Sequence, residues 1–337
     1  MFDNDSDPLP CPADRECLIP HLPETLDACW NRSRESLQRI RDVLSKEVPT
    51  EVVTIYVCGS MGRMEQLPGS DCDLIIVTID DIPPESDQGR AIHAEIWKRL
   101  EPLGLIRPKP NGIFSETVTW GQLINPDTRG QVDEDQFVYG KRIQLLLDSQ
   151  PVYHEDHFVR LQREVLQRFQ RGCDLPEQQW LGLLNEVIRY WKALGVRSLW
   201  LDDRSVAEWR YINLKFRHSR NLLIFGFLML LGEASRRQND SLNLLHSGLT
   251  LTPLERVCRF AKPDPTKQLT ARYAHFLQIM ADEEFVCRLR DVGNPEQKCA
   301  EFVMLDANAT EFVHTFTEIL HSQSETWPLE FRHELLL

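Results

Sequence analysis

Asp71 and Asp73 stand one residue apart at the entrance to the apolar run Leu74–Val77. If that run is a strand, residues i and i+2 share a face, so both carboxylates converge on one point. Two carboxylates so placed repel unless a cation lies between them. Their oxygens suit a hard divalent ion such as Mg²⁺, which keeps some of its waters and binds substrate phosphates. Upstream, Gly59 and Ser60 close another apolar run, "EVVTIYV". A strand that ends in Gly-Ser and feeds a helix offers backbone N–H groups, a hydroxyl and the positive end of the helix dipole, all of which attract phosphate. Each half has a plainer reading: Gly-Ser is a common helix cap, and an isolated Asp-x-Asp is commonly a solvated turn before a strand.

Together the two are more specific, because Gly-Ser, ten residues, Asp-x-Asp and "LIIV" follow one another in "CGSMGRMEQLPGSDCDLIIV". This order resembles the nucleotidyltransferase superfamily with the DNA polymerase β-like fold. The wording is most similar to a branch reading G[GS]xGRxE followed by SDxD. That branch includes the signal-protein uridylyltransferases and a group of bacterial proteins often attached to regulatory domains. The resemblance implies transfer of a nucleoside monophosphate from an NTP, ATP or UTP, to a hydroxyl acceptor with release of pyrophosphate. It also implies that Gly59 and Ser60 hold the triphosphate tail and that Asp71 and Asp73 bind two Mg²⁺ ions. Arg63 would lie near phosphate and Glu65 would act as a structural brace.

A third carboxylate commonly completes such sites. Glu116, in "GIFSETVTW", lies where a third strand should be, and Asp148, at the end of "RIQLLLDSQ", is the competitor. Farther along, "LLNEVIRYWKALGV" and "EWRYINLKFRHSRNLLIFG" carry Asn185, Arg189, Lys192, Lys215, Arg217 and Arg220 among core aliphatics. Spacing of four puts Asn185 and Arg189 on one helical face, and the spacing of five between Lys215 and Arg220 is looser. In related enzymes a helical domain supplies such side chains to the triphosphate, which singles out Arg189, Lys215 and Arg220. Trp180, Trp191 and Trp209 fit a core better than a base-stacking site, and His154, His157 and His218 show no metal-ligand pattern.

The elements that must position these residues follow from periodicity. Residues 1–20 lack it, carry four prolines and suggest a flexible leader. Leu26, Cys29, Trp30, Leu37, Ile40, Val43 and Leu44 form one helical stripe. Residues 51–57 and 73–79 look like central strands, with "SMGRMEQL" able to make about two helical turns between them. A helix is expected over 89–103 and strands within 112–120 and 142–153. Beyond Tyr153 nearly every pattern is helical: 154–170, 177–197, 204–233, 267–290 and 308–323. The expected fold class is α+β: a small mixed-sheet nucleotidyltransferase domain over 21–153, then an all-α domain over 154–337 that closes the nucleotide cleft.

The chain has 337 residues, room for two domains, with 42% hydrophobic and 26% charged residues. A net charge of −13 argues against broad, nonspecific binding of nucleic acid. The strongest apolar run, "LLIFGFLMLL", is about half the ~20 residues a membrane helix requires. The acidic, Pro-rich start lacks the basic and apolar regions of a secretory signal. The nine cysteines are scattered without a CxxC pair, which fits a reducing cytoplasm; Cys11 and Cys17 suit a tail with free thiols better than a metal site. Two readings remain: an NMP transferase whose acceptor is a protein side chain, favoured, or an RNA end or small molecule; and a noncatalytic nucleotide-sensing or partner-binding module of a toxin–antitoxin or defence system. Oligomeric state is open.

Overall fold

The computed structural model describes residues 9–170, 178–199, 206–237, 240–291 and 300–336. Residues 1–8 of the expected leader, the start of the 177–197 run and residues 204–205 lie outside the described residues. Helix α1 (Glu24–Leu44) precedes β1 (Val52–Cys58), the single turn α2 (Gly59–Gly62), β2 (Asp73–Thr78) and α3 (Asp87–Leu100). There follow β3 (Val118–Thr119), α4 (Trp120–Ile124), α5 (Gln136–Leu147) and β4 (Gln150–Tyr153). The helical half contains α6 (Glu155–Gln170), α7 (Leu181–Leu199), α8 (Val206–Lys215), a π turn (Phe216–Arg220) and α9 (Asn221–Arg236). It ends with α10 (Ser241–Leu249), α11 (Pro253–Phe260), α12 (Pro263–Met280), α13 (Glu283–Asp291), α14 (Ala300–Ser324) and α15 (Leu329–Leu336).

The sheet order is β3-β2-β1-β4, with β1 antiparallel to β2 and β4, and β2 parallel to β3. Strands β1 and β2 are covered on both faces, which is why each reads as a continuous apolar run. Ile55, Val57, Leu74 and Ile76 pack with Leu37 and Ile40 of α1 and Ile92 and Ile96 of α3. Tyr56, Cys58, Ile75 and Val77 belong instead to a cluster that continues through Phe158, Val187, Phe227, Tyr273 and Phe312 of the helical half. Each such buried aliphatic side chain contributes about 1.5–3 kcal/mol. Because side chains alternate along a strand, Asp73 shares the face of Ile75 and Val77, the face that the helices cover.

The mixed sheet and helical second half match the expected α+β class, and several local expectations are corrected. The 142–153 run is two elements, the end of α5 and the short β4. Helix α5 is buried nearly all round from Val138 to Leu147, so its apolar residues show no amphipathic stripe and imitate a buried strand. In 112–120 only Val118–Thr119 is strand; Ser115 instead closes a turn by donating its backbone N–H and its hydroxyl to the Gly112 carbonyl. "SMGRMEQL" makes one helical turn, not two, because Met64 adopts φ +61°. Residues 9–20 are anchored: Cys11 and Ala13 are buried, and Arg15 pairs with the buried Glu255 at 2.7 Å.

Candidate active site

The β1–β2 register sets Cys58 opposite Asp73, so the Gly59-Ser60 turn and the two aspartates lie at one end of the sheet. Gly59 has φ +71°, and a Cβ there would collide with Asp73 Oδ2. The turn is therefore built in contact with the carboxylate, and only glycine meets both the conformational and the steric demand. Gly59→Ala should lose about 2 kcal/mol or more of stability, from the left-handed backbone and the collision together, read as a lower urea midpoint. Asp71 is exposed and forms a parallel bridge with Ile106, where the Cys72 N–H donates to the Ile106 carbonyl at 2.9 Å. This bridge aligns Asp71 on the approach to β2.

Burial, then Asp71, then Asp148 push the Asp73 carboxyl up to about 7, against the opposing charges of Arg63 and Lys215. Asp148, at the C-terminal end of α5, accepts from the Gly59 N–H at 3.1 Å and from Arg63 at 2.7 Å through Oδ2. Its Oδ1 is buried and has no hydrogen-bond partner. Arg63 also donates to Glu65 at 2.9 Å through Nε. Burial alone would lower the Arg63 pKa, but Glu65 and Asp148 outweigh it and hold the guanidinium charged. A Cβ at Gly62 would meet the Asp148 and Val57 carbonyl oxygens, so the turn packs directly on the chain around Asp148.

The helical half reaches this network from three directions. The Tyr273 hydroxyl of α12 donates to Ser219 Oγ in the π turn at 2.9 Å and acts on the Glu65 carboxyl. Arg256 of α11, fully buried, donates to the Leu147 carbonyl next to Asp148 at 2.7 Å. Burial lowers its pKa to about 10, opposed by Asp148 and Glu255. Lys215 donates to the Tyr211 hydroxyl at 3.0 Å, and its charge acts on Asp73. Arg220 acts on Tyr190, which also feels Asp148.

Of the residues singled out by sequence, Gly59, Ser60, Arg63, Asp71 and Asp73 thus gather at one end of the sheet, the charge of Lys215 acts on Asp73, and that of Arg220 acts on Tyr190. Ser60 is half-buried and follows the Gly59 turn. Arg63, expected near phosphate, pairs with Glu65 at 2.9 Å and Asp148 at 2.7 Å. Arg189 lies over the Tyr139 ring at 3.9 Å and pairs with Glu186 and Glu134. Tyr139 is nine residues before Asp148, about 13 Å along α5, so Arg189 serves the opposite end of that helix. Arg217 pairs with Asp306 at 2.5 Å, and Trp180 is core. Glu116 lies just before β3, 3.5 Å from the fully buried ammonium of Lys141, whose pKa burial lowers to about 8. Sequence reasoning misses Tyr273, Ser219 and Arg256, which no local signal marks; they meet the site through contacts far apart in sequence.

A divalent cation fits this donor set. Burial and two neighbouring carboxylates hold Asp73 partly protonated near neutrality, and a buried Asp148 oxygen is unpartnered; added positive charge relieves both. Among the described residues, three metal-type ligand atoms lie within 4.8 Å of one another only at Cys11, Asp14 and Glu155. There Asp14 is already paired with Arg41 at 2.5 Å. Asp148 acts on Asp73 as a third negative charge.

The Gly-Ser turn thus lies across a strand pair from Asp-x-Asp, with cationic side chains supplied by the covering helices. Residues 24–125 match the family described as "Putative nucleotidyltransferase DUF294", which assigns this stretch to the nucleotidyltransferase superfamily. The matched stretch runs from α1 through α4 and holds Gly59, Ser60, Asp71, Asp73 and Glu116; Asp148 and the helical half lie beyond it. No curated protein matches the chain. Among the described residues no helix is long and apolar enough to cross a membrane.

Proposed function

We propose that the protein transfers an NMP from ATP or UTP to a hydroxyl acceptor, a protein side chain in preference to an RNA end or small molecule, using Mg²⁺ and releasing pyrophosphate. The observation that carries this reading is the Asp73 carboxylate, pressed against the Gly59 turn and crowded by Asp71 and Asp148. Asp71 and Asp73 would hold the ion. Lys215 and Arg220 would receive the triphosphate from the helical side, and the Ser60 hydroxyl would donate to it from the sheet side. When bound, the ion supplies charge neutralisation and Lewis acidity at the phosphates. The acceptor oxygen bonds to the α-phosphorus, the bond to the β-phosphate bridging oxygen breaks, and pyrophosphate leaves with that electron pair. Glu116, held by Lys141, is the group proposed to take the hydroxyl proton.

Incubation with each α-labelled NTP and Mg²⁺ tests the reading, using candidate acceptor proteins co-purified with the chain. Transfer of label with stoichiometric pyrophosphate release is the expected result; tight NTP binding without either product would favour the noncatalytic module. That second reading has its own support, because both candidates for the third carboxylate are ion-paired, Asp148 to Arg63 at 2.7 Å and Glu116 to Lys141 at 3.5 Å. A pH prediction follows from Asp73. Cation binding must displace its proton, so Mg²⁺ affinity should rise by up to about tenfold per pH unit below about 7 and level off above it. Calorimetric titrations between pH 5.5 and 8.5 check this, and a flat profile would exclude Asp73 as the ligand.

A further inference from the structure

The π turn Phe216–Arg220 breaks the α-helical backbone of the helical half where α8 joins α9. Turns of this kind occur mostly as single insertions in α-helices, often at functional sites. In an α-helix, side chains five residues apart point about 140° away from each other. The wider π turn, with its i→i+5 hydrogen bonds, narrows that angle. Lys215 and Arg220 stand at either end of this step. The charge of the first acts on Asp73, and that of the second acts on the Tyr190 that also feels Asp148.

Two buried attachments hold the turn in this form. Ser219 accepts from Tyr273, whose hydroxyl also acts on Glu65 of the Arg63 network under Gly59. His218 is fully buried and stacked on Phe276 with ring centroids 4.1 Å apart. Its Nδ1 lies 2.9 Å from the Leu214 carbonyl, which can only accept, so Nδ1 carries the proton. Nε2 is then left to accept from Asn308 Nδ2 of α14 at 3.1 Å, and the same amide group donates to the Arg272 carbonyl at 3.0 Å. Burial, with Arg217 and His275 nearby, lowers the His218 pKa to about 4, so the neutral ring that this pattern needs is the stable one.

We propose that His218 and Asn308 are positioning residues for the nucleotide site: they lock the π turn that brings Lys215 and Arg220 together to meet the triphosphate. The inference rests on the nucleotidyltransferase reading. The test is a mutant cycle, measuring by calorimetry the binding of α,β-methylene ATP and its UTP counterpart with Mg²⁺. Asn308→Ala should weaken binding about tenfold in the native background, the scale of one charge-assisted phosphate contact. In the Lys215→Ala/Arg220→Ala background it should have no further effect, although its effect on the thermal midpoint should be the same in both. Equal weakening in both backgrounds, or none in either, would overturn the proposal. Should Asn308→Ala not fold, His218→Gln takes its place in the cycle, and the same results support or overturn the proposal. If neither analogue binds the native chain, the functional reading fails and takes this inference with it; native binding with a flat cycle sinks the inference alone.

Discussion

The Asp73→Asn protein is expected to lose nucleotidyl transfer by about 10³-fold or more and, without metal at pH 8, to be more stable than the native chain. The activity loss follows from removing a carboxylate that holds the ion, worth several kcal/mol of transition-state stabilisation. The gain in stability follows from the pKa. Folding raises the Asp73 pKa from an ordinary 3.8 to about 7. The stability associated with its protonated form is fully present below pH 3.8 and is lost as pH rises through 7. At pH 8 the native fold therefore bears a buried, crowded negative charge that asparagine does not carry. The difference should reach about 1–3 kcal/mol at pH 8 and shrink toward pH 4. Mg²⁺ should stabilise the native chain and close the gap, while the variant responds weakly. Urea unfolding at pH 5 and 8, with and without Mg²⁺, separates the cases. A variant less stable than native at pH 8 without metal would show that Asp73 is not the strained group of the site.

How much of this site is legible in the sequence depends on how local each interaction is. Asp71, Asp73, Gly59 and Ser60 lie within fifteen residues, in the turn that ends β1 and at the entrance to β2, so the two-residue alternation and the strand end suffice to bring them together. Helix α1 is equally plain, because its buried residues lie on one stripe. The strand-like reading of residues 142–153 fails where burial is too complete. Lys141 and Arg142 are themselves buried in α5, so polar residues give no phase for a helical period. Asp148 stands out in the sequence only as a competitor for a third carboxylate. Its actual partners, Gly59 and Arg63, are 89 and 85 residues away, and no spacing rule spans that distance. The same holds for Tyr273 against Glu65. The pairing of Lys215 with Arg220 looks loose under α-helical geometry, and the π turn between them supplies what that geometry lacks.

These long-range contacts lead to the second large effect. Arg63→Met should destabilise the protein by about 3–5 kcal/mol, the scale for breaking a buried ion pair from one side. Arg63 is 11% exposed and its partners less so, with Glu65 at 5% and Asp148 at 1%. Methionine fills much of the volume but leaves two buried carboxylates without the cation they are hydrogen-bonded to. Burial already raises both acids above their ordinary values, with Arg63 pulling them down. Without it both pKa values rise further, so the variant keeps its stability at low pH and loses it as pH rises through the new values. The deficit should be largest near pH 8 and smallest near pH 5. Arg63→Lys should recover little, because one ammonium cannot reproduce the separate Nε and Nη1 contacts. Adding Glu65→Gln and Asp148→Asn to Arg63→Met should recover a large part of the loss, since the uncompensated charges are then gone. Urea midpoints across pH 5–8 for this set give the answer. If Arg63→Met stayed within about 0.5 kcal/mol of native at pH 8, the brace from the Gly59 turn through Arg63 and Glu65 to Tyr273 would not be what holds the sheet end and the helical half in register.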